Sequence, residues 1–513
     1  MPLTTSILRN PARITALVLI GCFAAGSALA VSCGPAPKAK PHRWTGGESF
    51  PPLPLPATPL RRSEKKRPPS PPALIGKIQY GKMVLGVDES GKKYRFRKWT
   101  HAVGDMSGLL RQTRRALGMR YRGVEINLAS FSFSPKEMPI LYLTGRERFE
   151  FDPKLRAKLR VYLQDGGTLL ANASSGSEEY QKAFISEINR IFPRKKMRLL
   201  EEDHPLFSCY YRITNVEQRT AKGRFVKAPP MLWGINIGAR SAVIFAAHDV
   251  ACAWDNHTHD QGWRVWSQKH GPRDAYRIGI NIVTYVLAEH KLGRHLASSK
   301  VYFEQGQPAG DSLVFAQVMH GGDWDPTPGG AMNLFKYSAA NSTLGVKFRK
   351  QPVDLAKAEA FNHPILYMTG LHAFELNARE AATLRGYLRG GGLLLADACS
   401  GRKAFDTAFR REMKKVFPRA KLEELPPDSP VYSAAGTGPL KTVIYSPMLR
   451  KNKPGLTAPS LEGITVGGKL VVIYSRYGIG DGWQGEHCPY ALCYEQRDAL
   501  KLGLNLLIYA MSH

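Results

Sequence analysis

At 513 residues the chain exceeds what one hydrophobic core usually organises, so two domains are expected with room left for a tail. Hydrophobic residues make up 43% and charged residues 22%, a balance that excludes a disordered or fibrous chain. Lys and Arg total 72 against 42 Asp and Glu, a formal net charge of +30, which favours anionic polymers or lipid headgroups as partners in a salt-dependent way and leaves the fold open.

The chain opens on an export pattern. Arg9 and Arg13 precede an uncharged apolar run from Ile14 to Ala30, and Ala28-Leu29-Ala30 is a small-x-small cleavage site. The expectation is a leader over 1–30 and an exported, periplasmic or extracellular protein. Two alternatives are membrane anchoring by an uncleaved Ile14 to Val31 and lipidation at Cys22, which closes the box Leu19-Ile20-Gly21-Cys22. Residues 31–73 are rich in proline and basic side chains, for example Pro51-Pro52-Leu53-Pro54-Leu55-Pro56, and read as an extended linker that buries no core. No specific nucleic-acid motif is present, and a second protein of the envelope is the other class of partner to expect. The seven cysteines lack the Cys-x-x-Cys spacing of a zinc site, so buried or disulfide-paired roles are expected for them.

Beyond the linker the sequence repeats itself. Ile140 to Pro205 aligns without a gap on Ile365 to Pro430, with 30 of 66 positions identical. Gly234-Ile235-Asn236-Ile237-Gly238 matches Gly463-Ile464-Thr465-Val466-Gly467, and Trp254 matches Trp483. The expected modules are 74–293 and 299–513. In each, an apolar strand ending at Gly145 or Gly370 leads to a helix start, Asp152-Pro153 or Asn377 with Glu380 three later. A glycine pair closes that helix, and Thr168 to Asn172 or Leu393 to Asp397 forms the next strand. A small-residue turn then opens a helix with the apolar face Tyr180, Phe184, Ile188, Ile191, repeated as Phe405, Phe409, Met413, Val416. Val243 to Ala247 and Val471 to Ser475 read as a late strand before a final helix. Strands alternating with helices predict an α/β class: two tandem Rossmann-like modules, each a parallel sheet covered by helices on both faces.

The run Ile365-Leu366-Tyr367-Met368-Thr369-Gly370, Gly390-Gly391-Gly392, Gly401-Arg402-Lys403, Val416-Phe417-Pro418 and Leu425-Pro426-Pro427-Asp428-Ser429-Pro430, with Asp323-Trp324, Pro326 and Pro328 ahead of it, resembles the family called domain of unknown function 4159. The first copy is looser, with Gly176-Ser177-Glu178 in place of Gly-Arg-Lys and no Asp-Trp opening. The resemblance implies a glutamine amidotransferase-like fold and no established activity.

That fold places a nucleophile on a sharp turn between strand and helix, and Asp397-Ala398-Cys399-Ser400-Gly401 stands there. Cys399 is therefore the candidate catalytic residue of a cysteine-dependent hydrolase or amidase. Its context is unfavourable: Asp397 would raise the thiol pKa, the corresponding residue of the first copy is Ser174, and the histidine expected after the late strand is His248 in the first copy but Tyr477 in the second. The leading expectation is instead a non-catalytic module that binds a ligand or partner in the crevice at the strand ends. Thr144, Gly145, Ser174, His248 and Asp249 would line it in the first copy, and Thr369, Gly370, Asp397 and Arg402 in the second, with Arg402 favouring an anion. The third expectation is a structural scaffold attached to anionic envelope polymer. No cofactor is expected. His257 and His259 are weak metal candidates, read first as part of an exposed polar loop.

Overall fold

The computed structural model describes residues 70–87, 91–97, 99, 102–220, 222–255, 269–298, 312–343, 347–357, 359–436, 438–485 and 488–512. The leader, most of the linker and the pair His257 and His259 lie outside the described residues. No helix among the described residues is long and apolar enough to cross a membrane.

The first module runs β1 (Ala73–Gln79), β2 (Met83–Val87), β3 (Lys93–Arg97), α1 (Asp105–Leu117), β4 (Arg122–Asn127), β5 (Ile140–Gly145), α2 (Pro153–Gln164), β6 (Thr168–Ala173), α3 (Glu178–Ile191), β7 (Arg198–Leu199), β8 (Val216–Arg219), β9 (Phe225–Ala228), β10 (Leu232–Ile237), β11 (Arg240–Ala246), α4 (Ala251–Trp254), β12 (Lys269–His270) and α5 (Pro272–Ser298). The second runs β13 (Ser312–Val318), α6 (Gly330–Asn341), β14 (Lys347–Val353), β15 (Ile365–Gly370), α7 (Ala378–Arg389), β16 (Leu393–Ala398), α8 (Lys403–Val416), β17 (Glu423–Glu424), α9 (Pro447–Asn452), β18 (Glu462–Val466), β19 (Lys469–Ser475), α10 (Gly480–Gln484) and α11 (Gln496–Ser512).

Each module is built on one seven-stranded sheet, and the two sheets share one order, β4-β1-β5-β6-β11-β10-β7 and β14-β13-β15-β16-β19-β18-β17. Along β15 the side chains alternate between two apolar layers. Ile365 and Tyr367 face the layer of α6 and α11, while Leu366 and Met368 face that of α7 and α8. β5 does the same with Ile140 and Tyr142 against Leu141 and Leu143. Both faces of both sheets are thus covered, as the continuous apolar strands predict. The helix starts also follow the sequence: Asp152 accepts from Leu155 N at 2.9 Å, and Asn377 and Glu380 form a reciprocal capping box.

The sheets depart from the all-parallel expectation at one edge. β10 and β7, like β18 and β17, run antiparallel to their neighbours. The cause is local, because only Gly467 and Gly468 separate β18 from β19, both at positive φ, and a two-residue turn reverses the chain. The first module also carries two additions, the hairpin β2-β3 and the small sheet β12-β8-β9.

Ser70–His513 form one compact unit. The modules meet through α5, whose Leu292 packs with Cys488, Ala491 and Cys493, and whose Glu289 accepts from the Cys488 thiol at 2.8 Å. Of the five described cysteines, Cys399, Cys488 and Cys493 are buried, as one half of the expectation had it, Cys209 and Cys252 are half-buried, and no disulfide joins any two of the five.

Candidate functional site at the strand ends and the intermodule cleft

In the second module β16 ends at Ala398, and a tight turn over Cys399–Gly401 precedes α8. Ser400 sits in the left-handed region at φ 54, a conformation that costs a residue with a side chain about 1 kcal/mol or more. A buried carboxylate compensates: Asp481 on α10 accepts from Ser400 N at 2.7 Å and from its hydroxyl at 2.8 Å. The same carboxylate accepts the Cys399 S–H at 3.5 Å. Cys399 is fully buried, and burial together with Asp481 and Asp397 pushes its thiol well above the ordinary range. The proton is held on sulfur. The backbone N–H that follows an elbow nucleophile, the natural oxyanion donor, is already bonded to a negative charge.

Asp397 is equally committed. Its carboxylate accepts from the Tyr367 hydroxyl at 2.6 Å and from Ile479 N and Gly480 N at 2.7 and 3.1 Å. Burial pushes its carboxyl up to about 6. Beside it Thr369 Oγ1 is buried and has no hydrogen-bond partner among the described residues.

The first module reaches the same arrangement from a different residue. Ser175 is also left-handed, at φ 57, and its N–H donates to Asp249 at 2.6 Å. With Trp254 aligned on Trp483, Asp249 falls opposite Gly478 and Cys252 opposite Asp481. The carboxylate therefore comes from before the short helix in one copy and from inside it in the other. Gly478 makes this feasible, since a Cβ there would collide with the Asp481 carboxylate. Asn172, opposite Asp397, donates to Thr144 Oγ1 at 3.2 Å and to Asp249 at 3.0 Å. Tyr142, opposite Tyr367, donates instead to Asp105, which forms a buried ion pair with Lys77 at 2.8 Å. Ser174 is buried, and half-buried His248 lies with its ring 5.8 Å from that of His270. Burial pushes His270 down to about 3. Among the described residues no cluster of three or more His, Cys, Asp or Glu is placed to hold a metal.

The crevice residues are thus brought together in each module but packed shut. Thr144, Gly145, Ser174, Asp249, Thr369, Gly370, Asp397 and Arg402 are all buried, and only His248 is partly open. In the second module the turn His320–Gly322 lies across the strand ends. His320 Nδ1 accepts from Gly322 N at 3.0 Å, so its Nε2–H donates to Thr369 O at 2.9 Å, and burial pushes the imidazole down to about 4. Arg402 already has its anions, because Glu201 and Asp203 of the first module approach its guanidinium at 3.4 and 3.2 Å. Asp203 also accepts from Lys403 N at 2.8 Å and so caps α8, whose own Arg402 supplies no side-chain cap; in the first module Ser177 caps α3 locally. The anion expected at the α8 start is a carboxylate of the chain itself.

Open space lies beside this interface. A cleft of about 680 Å³ separates Arg194, Lys195, Lys196, Arg198 and Asn236 of the first module from His320, Asp323, Trp324, Asp325 and His372 of the second. Of its six charged Lys, Arg, Asp and Glu side chains, Lys195 pairs with Asp323 at 3.0 Å, and Asp325 pairs with Lys350 at 2.6 Å. Arg198 donates to the Gly321 carbonyl. Arg194 and Lys196 are exposed and form no ion pair with a described residue. The cleft therefore keeps a positive excess. A buried polar chain stiffens its floor: His204 contacts Ser241 at 2.9 Å, Ser241 donates to Asn236 at 2.7 Å, Asn236 donates to His372 at 3.1 Å, and His372 Nδ1 lies 3.2 Å from Glu201. Sequence reasoning missed Asp481, Glu201, Asp203, Arg194 and Lys196. Trp324 was visible only as part of a family-like opening.

A family model described as Domain of unknown function (DUF4159) matches residues 92–287 and 314–511. No curated protein matches. Among solved structures, a "putative phosphosugar isomerase" from Silicibacter pomeroyi DSS-3, with a crystal structure at 1.75 Å resolution, is similar at 9% identity over 63% of this chain and 75% of that one. Its TM-score of 0.14 is too low to carry an argument.

Proposed function

Because the chain belongs, through both modules, to the family described as Domain of unknown function (DUF4159), a description that names no activity, we propose its function from the geometry: a non-catalytic protein that binds an anionic ligand in the intermodule cleft. The observation that supports absence of catalysis is the occupied amide. In both modules the N–H after the elbow position donates to a buried carboxylate, Asp249 or Asp481, at 2.6 or 2.7 Å. An oxyanion developing there would face a negative charge, which opposes the hydrolase or amidase reading of Cys399. The ligand is assigned to the cleft on the strength of Arg194 and Lys196, whose charges no described carboxylate neutralises. We read the modules as glutamine amidotransferase-like in fold and the chain as an exported envelope protein, supported by the elbow position and by the leader pattern ending at Ala30.

The test is isothermal titration of the full chain with tripolyphosphate, beside the double variant Arg194→Ala, Lys196→Ala. Wild type should bind, more weakly as salt rises, and the double variant should lose about tenfold in affinity. Equal affinity of the two proteins would overturn the assignment to this cleft.

A further inference from the structure

We infer that the cleft recognises an acidic saccharide, with a sugar ring stacked on Trp324 and its carboxylate, sulfate or phosphate held by Arg194 and Lys196. This rests on the anion-binding reading and adds the ring. The volume, about 680 Å³, lies in the range of small-molecule sites and takes a few sugar units. The two walls differ in chemistry: one bears the cations, and the other bears the half-buried residue Trp324 between two carboxylates, Asp323 and Asp325, that are already paired with Lys195 and Lys350. A pyranose presents the matching pair of surfaces, a flat C–H face for the indole and charged substituents at the ring edge. A simple inorganic anion has no use for the indole.

Trp324 is also held in place before any ligand arrives. Gln317 on β13 donates to the Trp324 carbonyl at 2.6 Å, and Lys350 on β14 holds the next residue, Asp325, at 2.6 Å. The preceding residue, Asp323, is left-handed at φ 64, and Lys195 of the first module grips its carboxylate at 3.0 Å. A non-glycine residue in that conformation persists where its surroundings over-determine it. Here the strained residue turns the chain at the cleft wall, and both neighbours of the indole are anchored to different strands or modules. Such preorganisation lowers the ordering cost of binding.

The experiment titrates the full chain with trigalacturonate, maltotriose, tripolyphosphate and adenosine monophosphate, followed by calorimetry and tryptophan emission. Trigalacturonate should bind at least about tenfold more tightly than uncharged maltotriose and should shift the emission. Trp324→Ala should lower its affinity about tenfold while leaving tripolyphosphate unchanged. Trp324→Phe keeps a ring on the wall and should retain most of the affinity, which separates recognition from folding. If tripolyphosphate binds as well as trigalacturonate and Trp324→Ala changes neither, the cleft reads charge alone: the saccharide inference falls and the anion reading stands. Tighter, Trp324-dependent binding of adenosine monophosphate would also overturn it, in favour of a nucleotide. If none of the anions binds, both readings fall together.

Discussion

Replacing Asp397 by Asn should stabilise the protein at neutral pH, although Asp397 makes three hydrogen bonds. Burial raises its carboxyl from 3.8 to about 6, so at neutral pH the folded protein carries a charge that its surroundings do not fully solvate. Because the folded value lies above the unfolded one, the contribution of this group to stability is fully present below pH 3.8 and is lost as pH rises through about 6. The difference of about 2.2 pH units corresponds to about 3 kcal/mol. Asn removes that charge and keeps two of the three bonds as they are, since its oxygen still accepts from Ile479 N and Gly480 N, while its amide nitrogen, standing where Oδ1 was, turns the Tyr367 hydroxyl from donor to acceptor. Its amide would donate to Thr369 Oγ1, as Asn172 already does to Thr144 at 3.2 Å in the first module. For roughly 440 cooperatively folded residues with an unfolding entropy of about 0.9 kcal/mol/K, 3 kcal/mol is a rise of about 3 °C in thermal midpoint. Differential scanning calorimetry of both proteins at pH 7.5 and pH 3.5 measures it. A variant no more stable than wild type at pH 7.5, or an advantage equally large at pH 3.5, would refute the desolvation argument.

Cys399 should resist iodoacetamide in the native protein at neutral pH, because its thiol is raised by burial and by Asp481; mass spectrometry of the labelled peptide, with Cys399→Ser as control, reads this directly, and rapid native labelling would revive the hydrolase. Arg402→Ala should destabilise the chain by about 2–4 kcal/mol in urea titration, since it removes the cation shared by Glu201 and Asp203 and leaves the first to His372 and the second to Lys403 N; a loss below about 0.5 kcal/mol would mean that solvent already screens the pair. Glu289, pushed up to about 7 by burial, should make stability fall as pH rises from 4.5 through 7, and Glu289→Gln should flatten that dependence; an unchanged pH profile would discount the burial of its charge.

What the sequence disclosed was what local physics encodes. Strand periodicity, the capping residues Asp152, Asn377 and Glu380, and the apolar faces of α3 and α8 depend on neighbours within a few residues, and they appear where the sequence places them. The antiparallel edge was legible too, had Gly467-Gly468 been read as a hairpin turn. The closing of the crevice was not, because it depends on Glu201 and Asp203 reaching Arg402 about 200 positions away. Nor was the carboxylate at the strained serine, since aligning the copies sets Asp249 against Gly478 and Asp481 against Cys252 and hides that the two acids do one job. Residue identity was exchanged while the contact was kept: N–H to carboxylate at 2.6 Å in one copy and 2.7 Å in the other. A turn that required a free oxyanion donor would not tolerate either acid. A turn that holds a left-handed serine between strand and helix is served by both, so the duplicated feature is the filled amide.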